Sequence, residues 1–537
     1  MFSILSLLIF QHSVFGQQNY SPTFADPLLE PWRWKNIPEL RGKGIRCILE
    51  SKDHSMWFGV DNGIFSYNGK DWKFYGIENS PINGPINVLS MADDGSILAG
   101  SSNGIYKFNN NVWTTLLSGN NKTHINIASI KNISNGCILA GVNQGVLVFK
   151  GGKKYLFTLK SYFNTFNRQF PELKLIELPE IEAFTKKMPR ADGFFEYTNS
   201  ELWILFSQAS SGFILHFDFN KALTDGLKDY QITSKVGNTN LGTGLKIIKT
   251  RDNKIWIISG HYSSDVITYD GKRWSAIKLS HIFGGDELHT CLMEAKDGSI
   301  WIGGLGKLYV LKNNKWSFYE APQLPIPYSR IIFTESSKGI IWIAGQQNEV
   351  YYLDYSMKKW ATYKDLNLEC EAQNGDKWFL TVDNRVVVQK KNKWFVYTAK
   401  DSLIENPVKI IATRSGQVWI GGSHKGVAAT AYLENGKWHK QLHPTLSWGI
   451  DYRDVFEAAD GSIWFGGSVD AQKDKGQLSG VLRLQISKDK KMNWSSLSSE
   501  QGVSQSNAYG IGQSKDGKIW IGGAKLLLFT GKNWERN

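Results

Sequence analysis

One eight-residue pattern recurs along almost the whole chain and constrains its fold more than any other feature. Its clearest copy spans 297–304 and reads Asp-Gly-Ser-Ile-Trp-Ile-Gly-Gly; a second tryptophan, Trp316, follows Trp301 of this copy by fifteen residues. Eleven copies align on the central residue, and those anchors are Trp57, Leu98, Leu139, Trp203, Trp256, Trp301, Trp342, Trp378, Trp419, Trp464 and Trp520. Many neighbouring anchors are about 41 residues apart. A period of roughly 40 to 50 residues, with several short strands per unit, is typical of β-propeller blades.

Each copy is predicted to form four strands joined by tight turns. In the sixth copy we expect strands over 290–295, 299–302 and 308–311 and a fourth from Trp316, because the apolar residues alternate and β-branched residues are frequent. Six copies place an Asp-Gly or Asn-Gly pair before the anchor, led by Asp94, Asn135, Asp297, Asn374, Asp460 and Asp516. Such pairs favour a two-residue type I′ turn, in which both residues have positive φ.

The second tryptophan of each copy is as regular as the first. It is found at Trp72, Trp113, Trp274, Trp316, Trp360, Trp394, Trp438, Trp494 and Trp534, and Tyr155 and Tyr230 take its place twice. These nine and the nine anchor tryptophans account for 18 of the 21 in the chain. Such recurrence in every copy predicts a structural role in the core between blades, because a binding site would use only some of the copies.

The predicted fold is therefore all-β: a β-propeller of four-stranded blades, about eleven in number. We expect one seven-bladed ring followed by a second partial or four-bladed ring, since rings of four to eight blades are usual. The predicted divisions are 1–16 (signal peptide), 17–44 (N-terminal segment), 45–366 (first propeller, blades 1–7) and 367–537 (second, incomplete propeller, blades 8–11). Residues 30–35 resemble an outer strand without a blade, which suggests that this segment completes the last blade of a ring.

Two segments interrupt the regular repeat. The insertion 159–192 contains three prolines and mixed charge, and it is predicted to be either a functional loop or a disordered one. The segment 468–480 is predicted to be a long loop in blade 10. Both fall on the face of the propeller that carries the connections between blades.

Composition and charge argue against a nucleic-acid partner. The 537 residues carry a net charge of +13, but lysine and arginine are scattered through the turns and form no run of five. A solvated basic surface is favoured over a nucleic-acid site. The cysteines Cys47, Cys137, Cys291 and Cys370 lack metal-ligand spacing, so buried thiols are favoured, with a disulfide left open.

The N-terminus predicts export from the cytoplasm. Residues 2–10 form a short apolar run, and Gly16 is the expected end of a signal peptide. No later stretch reaches 18 consecutive apolar residues, so no membrane span is expected in the mature chain. A periplasmic or secreted protein is predicted.

The ligand is expected on the face formed by the connections between blades and by the loops between second and third strands, because variable loops on a rigid scaffold commonly bind ligands. The candidate ligand-binding residues there are His261, His289, Tyr328, Arg330, Trp448, Tyr452 and Arg453. Trp448 is one of only three tryptophans outside the repeat, so it could stack on a sugar ring; packing within its loop is the alternative reading.

Catalytic and metal-binding motifs are absent from the sequence. It contains no HExxH, GxSxG, P-loop or CxxC pattern. His439 and His443 are four residues apart, but they fall in and after a predicted strand, where this spacing does not make a metal pair. We therefore expect no catalytic residue, no metal and no cofactor in this chain.

The recurrent pattern resembles the two-component regulator propeller repeat, clearest at 297–304, 415–422, 460–467 and 516–523. This resemblance covers about 45–537 and implies the periplasmic sensor region of a hybrid two-component histidine kinase. Full-length members have two seven-bladed propellers, a β-sandwich, a membrane span, a kinase, a receiver and a DNA-binding helix-turn-helix, and they typically sense oligosaccharides as homodimers. This sequence ends at the eleventh copy, so we expect it to be a fragment of a longer chain.

Two classes of function follow. The first is a non-catalytic extracytoplasmic sensor that recognises an oligosaccharide or a similar solute for two-component signalling. The alternative is a secreted propeller enzyme, such as a polysaccharide lyase or a glycosidase, or a standalone adhesion scaffold. Paired carboxylates at the channel mouth would favour an enzyme. The two close acidic pairs in this region, Asp286 with Glu287 and Asp451 with Asp454, have spacings that would point their side chains to opposite faces.

Overall fold

The structure is a computed structural model, and it divides into two compact units. The first unit is Asp26–Lys359, and the second unit combines Met1–Ala25 with Trp360–Asn537. The described residues are 18–119, 125–134, 136–143, 145–178, 190–208, 211–260, 265–283, 288–326, 328–345, 349–355, 362–444, 446, 454–467, 481–497, 508–523, 526–531 and 534–536. They form eleven sheets of four or five strands and one two-stranded sheet, so the predicted all-β propeller fold is confirmed. The predicted signal peptide lies outside the described residues.

The first unit contains sheets 1 to 7. Strands within a sheet are named A to D in chain order and pair antiparallel with their neighbours. Sheet 1 is Cys47–Glu50, Met56–Val60, Gly63–Tyr67 and Trp72–Tyr75; sheet 2 is Ile86–Met91, Ile97–Ser101, Gly104–Asn109 and Val112–Ser118; sheet 3 is Ile127–Asn132, Ile138–Val142, Gly145–Lys150 and Lys153–Thr158, with Leu173–Glu177 as a fifth strand; sheet 4 is Arg190–Glu196, Glu201–Gln208, Ser211–Asp218 and Tyr230–Thr233. Sheet 5 is Lys246–Lys249, Ile255–Ile258, Asp265–Tyr269 and Trp274–Lys278; sheet 6 is Cys291–Glu294, Ile300–Gly303, Lys307–Lys312 and Lys315–Glu320; sheet 7 is Ile331–Glu335, Ile340–Gly345 and Val350–Asp354, with Trp34–Asn36 as its outermost strand.

The second unit contains sheets 8 to 11. Sheet 8 is Leu366–Glu371, Lys377–Thr381, Val386–Lys390 and Lys393–Tyr397, with Gln18–Asn19 as a fifth strand; sheet 9 is Asn406–Ala412, Val418–His424, Val427–Glu434 and Lys437–Leu442; sheet 10 is Val455–Glu457, Ile463–Gly466, Val481–Ile486 and Met492–Leu497; sheet 11 is Gly510–Gln513, Ile519–Gly522, Leu526–Phe529 and Trp534–Arg536. Consecutive sheets of this unit share apolar cores. The N-terminal segment, predicted as one piece, is divided between the two units.

Helices are short and lie between strands. The α-helices are Phe163–Gln169, Phe219–Asp225 and Leu279–Phe283, the 3-10 helices are Pro27–Leu29, Pro31–Arg33, Pro38–Leu40, Lys160–Tyr162 and Ala399–Asp401, and a small hairpin pairs Lys235–Val236 with Thr239–Asn240. Among the described residues, no helix has the length and apolar character needed to cross a membrane.

The anchor tryptophans fill the space between sheets, as predicted. Eight of the nine are at most 5% exposed, and the ninth, Trp520, is half-buried. Each of the eight reaches a neighbouring sheet; Trp301, for example, shares a core with Phe333 of sheet 7. Trp342 of sheet 7 packs edge-on against Phe58 of sheet 1, with ring centroids 5.3 Å apart. This contact closes the first unit into a ring of seven sheets. Most of the tryptophans in strand D are only half-buried.

The turn between strands A and B corrects the type I′ prediction. Gly298 has a φ of 86°, but Asp297 is not among the residues with positive φ. The Gly298 N–H donates to the Ala295 carbonyl at 2.9 Å, and the Ala295 N–H donates to the Ser299 carbonyl at 2.8 Å. This is a three-residue loop that ends in a left-handed glycine. The aspartate is preferred because its carboxylate accepts the Ser299 N–H at 3.0 Å, which needs no positive φ.

Type I′ geometry occurs at the other hairpin, between strands C and D. Asn313 and Asn314 have φ values of 51° and 59°, and the flanking Lys312 and Lys315 are paired across the ladder. Asparagine tolerates this region better than most residues because its short amide bonds to the local backbone. The type I′ turn was predicted between strands A and B, whereas in this sheet it occurs between strands C and D.

Glycines at the end of strand B let neighbouring sheets approach closely. A Cβ on Gly141 would lie 2.1 Å from the Ala191 carbonyl oxygen of sheet 4, and one on Gly100 would lie 2.5 Å from Ile127 Cγ2 of sheet 3. Neither glycine has a positive φ. The recurrent Trp-Ile-Gly therefore needs glycine for space, and the inner strands A of adjacent sheets can converge.

The N-terminal segment completes sheet 7. Trp34–Asn36 pairs antiparallel with strand C of that sheet, and Trp34 lies opposite Leu353. The Trp34 indole N–H donates to the Leu28 carbonyl at 2.9 Å. Since sheet 7 takes its outermost strand from the start of the unit, the two ends of the ring are held by backbone hydrogen bonds.

The described part of the insertion 159–192 is folded, which corrects its prediction as a functional or disordered loop. Leu173–Glu177 pairs in parallel with strand D of sheet 3. Phe166, Phe170 and Leu173 are buried in the core of sheets 2 and 3. The insertion therefore covers an exposed sheet edge and apolar surface. The segments 179–189 and 468–480 lie outside the described residues.

Candidate functional site

A cavity of about 790 Å³ lies at the centre of the first unit, where the seven strands A begin. Its lining includes at least one residue from or just before strand A of every sheet, with Arg46, Asn87 and Asn126 from the first three. Ser102 and Gly260 come from loops between strands B and C. The cavity thus lies on the face to which the sequence assigned the ligand. Its volume is in the usual range for small-molecule pockets.

One side of the rim is a chain of hydrogen bonds between sheets 1, 2 and 3. The Arg46 guanidinium donates to the Asp61 carboxylate at 2.6 Å and to the Asn87 amide oxygen at 3.3 Å. The Asn87 amide N–H₂ donates to the Asn126 amide oxygen at 3.0 Å and to the Ile127 carbonyl at 3.2 Å. These contacts hold the three polar groups in place and compensate the charge of Arg46.

A second cluster links sheets 4 and 5. The Asp192 carboxylate is 3% exposed and accepts the Arg190 guanidinium N–H at 2.6 Å. It also accepts the Ser207 hydroxyl and, at 3.1 Å, the Leu245 N–H. Asp192 is the only carboxylate among the described residues that line the cavity. All its bonds are structural, and they compensate the charge of Arg190.

Two further cations of the cavity have no such compensation. Lys246 of sheet 5 and Arg330, just before sheet 7, both line the cavity and are exposed within the first unit. Neither side chain has a hydrogen bond or an ion pair with another described residue. The described lining residues therefore carry a net positive charge, and the cavity walls strengthen the field of these two groups.

His289 is buried in the wall of the cavity without a partner. Its side chain is 0% exposed, and neither ring nitrogen bonds to any described residue. The ring stands edge-on to Tyr309, with centroids 5.8 Å apart. Burial lowers the pKa of His289 to about 4, and the nearby Asp265 carboxylate only partly opposes this effect. The imidazole is therefore neutral at pH 7.

The buried imidazole predicts a loss of stability in acid. Above pH 6.5, His289 is neutral in both the folded and the unfolded chain, so it adds no pH dependence. Below that pH His289 is protonated in the unfolded chain, whereas in the folded chain it stays neutral down to about pH 4. We expect His289 to cost up to roughly 3 kcal/mol of unfolding free energy as the pH falls from 6.5 to 4, because one pKa unit corresponds to about 1.4 kcal/mol.

The measurement is the unfolding free energy of the first unit, obtained by urea denaturation at several pH values between 7 and 4. His289→Gln should reduce the acid dependence, while His216, whose pKa is also lowered to about 4 by burial, keeps its own contribution. His281→Gln, which changes an exposed histidine, should leave the acid dependence as in the wild type. An unchanged acid dependence in His289→Gln would contradict the assignment.

Comparison with known proteins gives similarity at the level of solved structures. No protein-family model matches the sequence, and no curated protein matches it. The chain is similar to extracellular domains of two hybrid two-component systems from B. thetaiotaomicron. The first is 14% identical, with 90% of this chain and 68% of that chain covered and a TM-score of 0.27. The second is 15% identical, with 94% and 78% covered and a TM-score of 0.27.

A further similar structure is the WD40 β-propeller domain of Doa1. It is 12% identical, covers 59% of this chain and 95% of its own, and has a TM-score of 0.40. The β-propeller fold of this chain follows from the sheets described above, independently of these similarities.

The structure places only some of the predicted ligand-binding residues. His289 and Arg330 line the cavity. Tyr328 is 77% exposed and is not among the residues that line it. The remaining candidates, His261, Trp448, Tyr452 and Arg453, lie outside the described residues.

Sequence reasoning missed most of the cavity lining. Arg46, Asn87 and Asp192 each precede the anchor of their copy by eleven residues, and Lys246 precedes its anchor by ten. These positions lie at or near the start of strand A and vary between copies, whereas the anchor is nearly constant. Comparing the polar residues ten to thirteen places before the anchor in all copies would have pointed to the cavity. In the described part of the chain, no cluster of three or more His, Cys, Asp or Glu could hold a metal ion.

Proposed function

We propose that this chain is an extracytoplasmic sensor propeller that binds an oligosaccharide or a similar solute in the central cavity of the first unit, as the input of two-component signalling. The cavity carries this proposal, because polar side chains from all seven sheets converge on one volume of small-molecule size. The repeat resemblance supports the signalling role. The apolar N-terminal run supports an extracytoplasmic location.

The proposed role is binding without chemistry. A glycosidase uses two carboxylates on either side of the scissile bond. The single carboxylate among the described lining residues, Asp192, is engaged by Arg190, Ser207 and Leu245. A group held in this way orients the wall and is poorly placed to exchange a proton with a ligand.

A binding screen on the full chain tests the proposal. We expect at least one oligosaccharide of a neutral and acidic glycan library to bind, and mass spectrometry to recover it unchanged. Ser102→Trp should abolish binding, because Ser102 lines the cavity and the indole would occupy part of its volume. Ser118→Trp is the matched control, since Ser118 is exposed on the outer strand D of the same sheet and is not among the residues that line the cavity.

Three outcomes would contradict the proposal. In the first, no saccharide of the library binds. In the second, the Ser102→Trp variant binds as tightly as the wild type. In the third, the bound saccharide is converted to products. The last of these would favour the secreted enzyme.

A further inference from the structure

The charges of the cavity indicate what kind of ligand it accepts. Its described lining residues include four cationic side chains, those of Arg46, Arg190, Lys246 and Arg330, and one carboxylate, that of Asp192. Arg46 and Arg190 are paired with Asp61 and Asp192, each at 2.6 Å. The two remaining cations, Lys246 and Arg330, have no ion pair with another described residue.

Both cations flank sheet 6 at the channel. Lys246 begins strand A of sheet 5, and Arg330 directly precedes strand A of sheet 7. Burial raises the pKa of Cys47 in sheet 1 to about 12, and the Lys246 ammonium is one of the groups that oppose this rise. It acts in the same direction on Cys291 of sheet 6. The Lys246 side chain lines the cavity, as does that of Arg330.

The described lining of the cavity is polar and aliphatic, apart from the buried His289. Among its described lining residues there is no Phe, Tyr or Trp side chain, and the nearby aromatic residue Tyr309 is 1% exposed within its sheet. A neutral sugar usually requires a ring face to cover its apolar side, as an aromatic residue presents an apolar body at low entropic cost. The described lining residues offer charge and hydrogen bonds to a ligand.

We infer that the cavity takes an anionic saccharide, whose carboxylate or sulfate group pairs with Lys246 and Arg330. That the ligand is a saccharide rests on the proposed function. That it is an anion rests on the charges of Lys246 and Arg330, which no other described residue compensates. Asn87, Asn126 and Ser102 supply amide and hydroxyl groups for the sugar hydroxyls. Arginine suits this role because its guanidinium can hold a carboxylate or sulfate by two parallel hydrogen bonds.

The test compares probes that differ in charge by isothermal titration calorimetry on the full chain. The probes are digalacturonate, a sulfated chondroitin disaccharide, neutral galactobiose and sodium sulfate. We expect an acidic disaccharide to bind at least about tenfold more tightly than galactobiose, since each hydrogen bond to a charged group contributes enough for a factor of ten. The two acidic probes distinguish a carboxylate from a sulfate as the recognised group. The affinity should fall as the NaCl concentration rises.

Variants locate the recognition. Lys246→Gln and Arg330→Gln should each weaken binding of the acidic disaccharide at least about tenfold. Lys249→Gln is the matched control, because Lys249 is exposed at the other end of the same strand. Its affinity should stay within about twofold of the wild type. Thermal unfolding of each variant shows whether it is folded.

The outcomes separate this inference from the proposed function. Tight binding of galactobiose or another neutral glycan, unaffected by Lys246→Gln, would overturn the anionic assignment and leave the sensor proposal in place. Binding of sulfate alone, with no saccharide bound, would overturn both. Equal losses in Lys246→Gln and Lys249→Gln would show a general charge effect and would also overturn the assignment.

Discussion

Replacing Trp301 with alanine is expected to lower the unfolding free energy of the first unit by roughly 3–5 kcal/mol. The side chain is 0% exposed, so its whole volume would become a cavity. Its ring lies edge-on to Tyr355 at 5.2 Å and to Phe333 of sheet 7 at 6.1 Å. Its indole N–H donates to the Ser299 hydroxyl at 2.8 Å, which in turn donates to the Asp297 carboxylate at 2.5 Å. The substitution therefore removes the packing between two sheets and a partner of the turn.

The matched control is Trp316→Ala in the same sheet. Trp316 is only half-buried, so less apolar surface returns to water and the loss should be about half as large. Urea denaturation followed by tryptophan fluorescence measures both variants. Equal losses would contradict the different roles assigned to the inner and outer tryptophans.

Replacing Arg33 with methionine is expected to cost roughly 3–5 kcal/mol, because it removes the arginine from a buried ion pair with Glu30. Arg33 is 1% exposed and its Nε lies 2.5 Å from Glu30 Oε2. Its Nη1 donates to the Asp354 carbonyl at 3.0 Å, in strand C of sheet 7. These contacts attach the N-terminal segment to the sheet that it completes.

The double variant Glu30→Leu/Arg33→Met should be less destabilised than Arg33→Met alone, because it leaves no unpaired buried charge. Lys107→Met breaks the exposed pair with Asp94, whose side chains are 26% and 50% exposed, and should cost less than about 1 kcal/mol. Urea denaturation and limited proteolysis before Trp34 provide the measurements. A double variant that is no more stable than Arg33→Met would contradict the buried-pair explanation.

Much of the fold could be predicted because a propeller sheet is local in sequence. Strands A to D of sheet 6 lie between Cys291 and Glu320, close to the ranges expected from the period-two pattern. The anchors also identified the core, because a residue buried identically in many copies leaves a periodic trace. The turn at Asp297 was assigned incorrectly because Asp-Gly suits both a two-residue type I′ turn and a longer loop ending in a left-handed glycine, and the register of the strands decides between them.

The insertion after sheet 3 shows a second limit. Its prolines and charges predicted a loop, but Leu173–Glu177 gains a strand partner from the edge of sheet 3. Hydrogen bonding to the edge of an existing sheet outweighs the weak preference of the local sequence for a loop.

The candidate site could be predicted only as a face of the propeller. His289 and Arg330 were named from the sequence and line the cavity, while Arg46, Arg190 and Lys246 were not recognised. These residues lie ten to thirteen places before their anchors, at positions that vary between copies, so no single copy gives a signal. Whether these residues can bind a ligand depends on which of their charges are already paired, and this is known only from the distances between side chains in the folded structure.

The sequence by itself determined the four-stranded module, its tryptophan core and the all-β class, because hydrophobic alternation and turn chemistry act within about 41 residues. Only the tertiary structure decided which side chains share the cavity and which of its cations are compensated. Arg46 and Arg330 are far apart in the chain, and closure of the ring brings them to one rim. Local sequence governs the strands, whereas charge and binding at the axis depend on contacts that exist only after seven sheets have met.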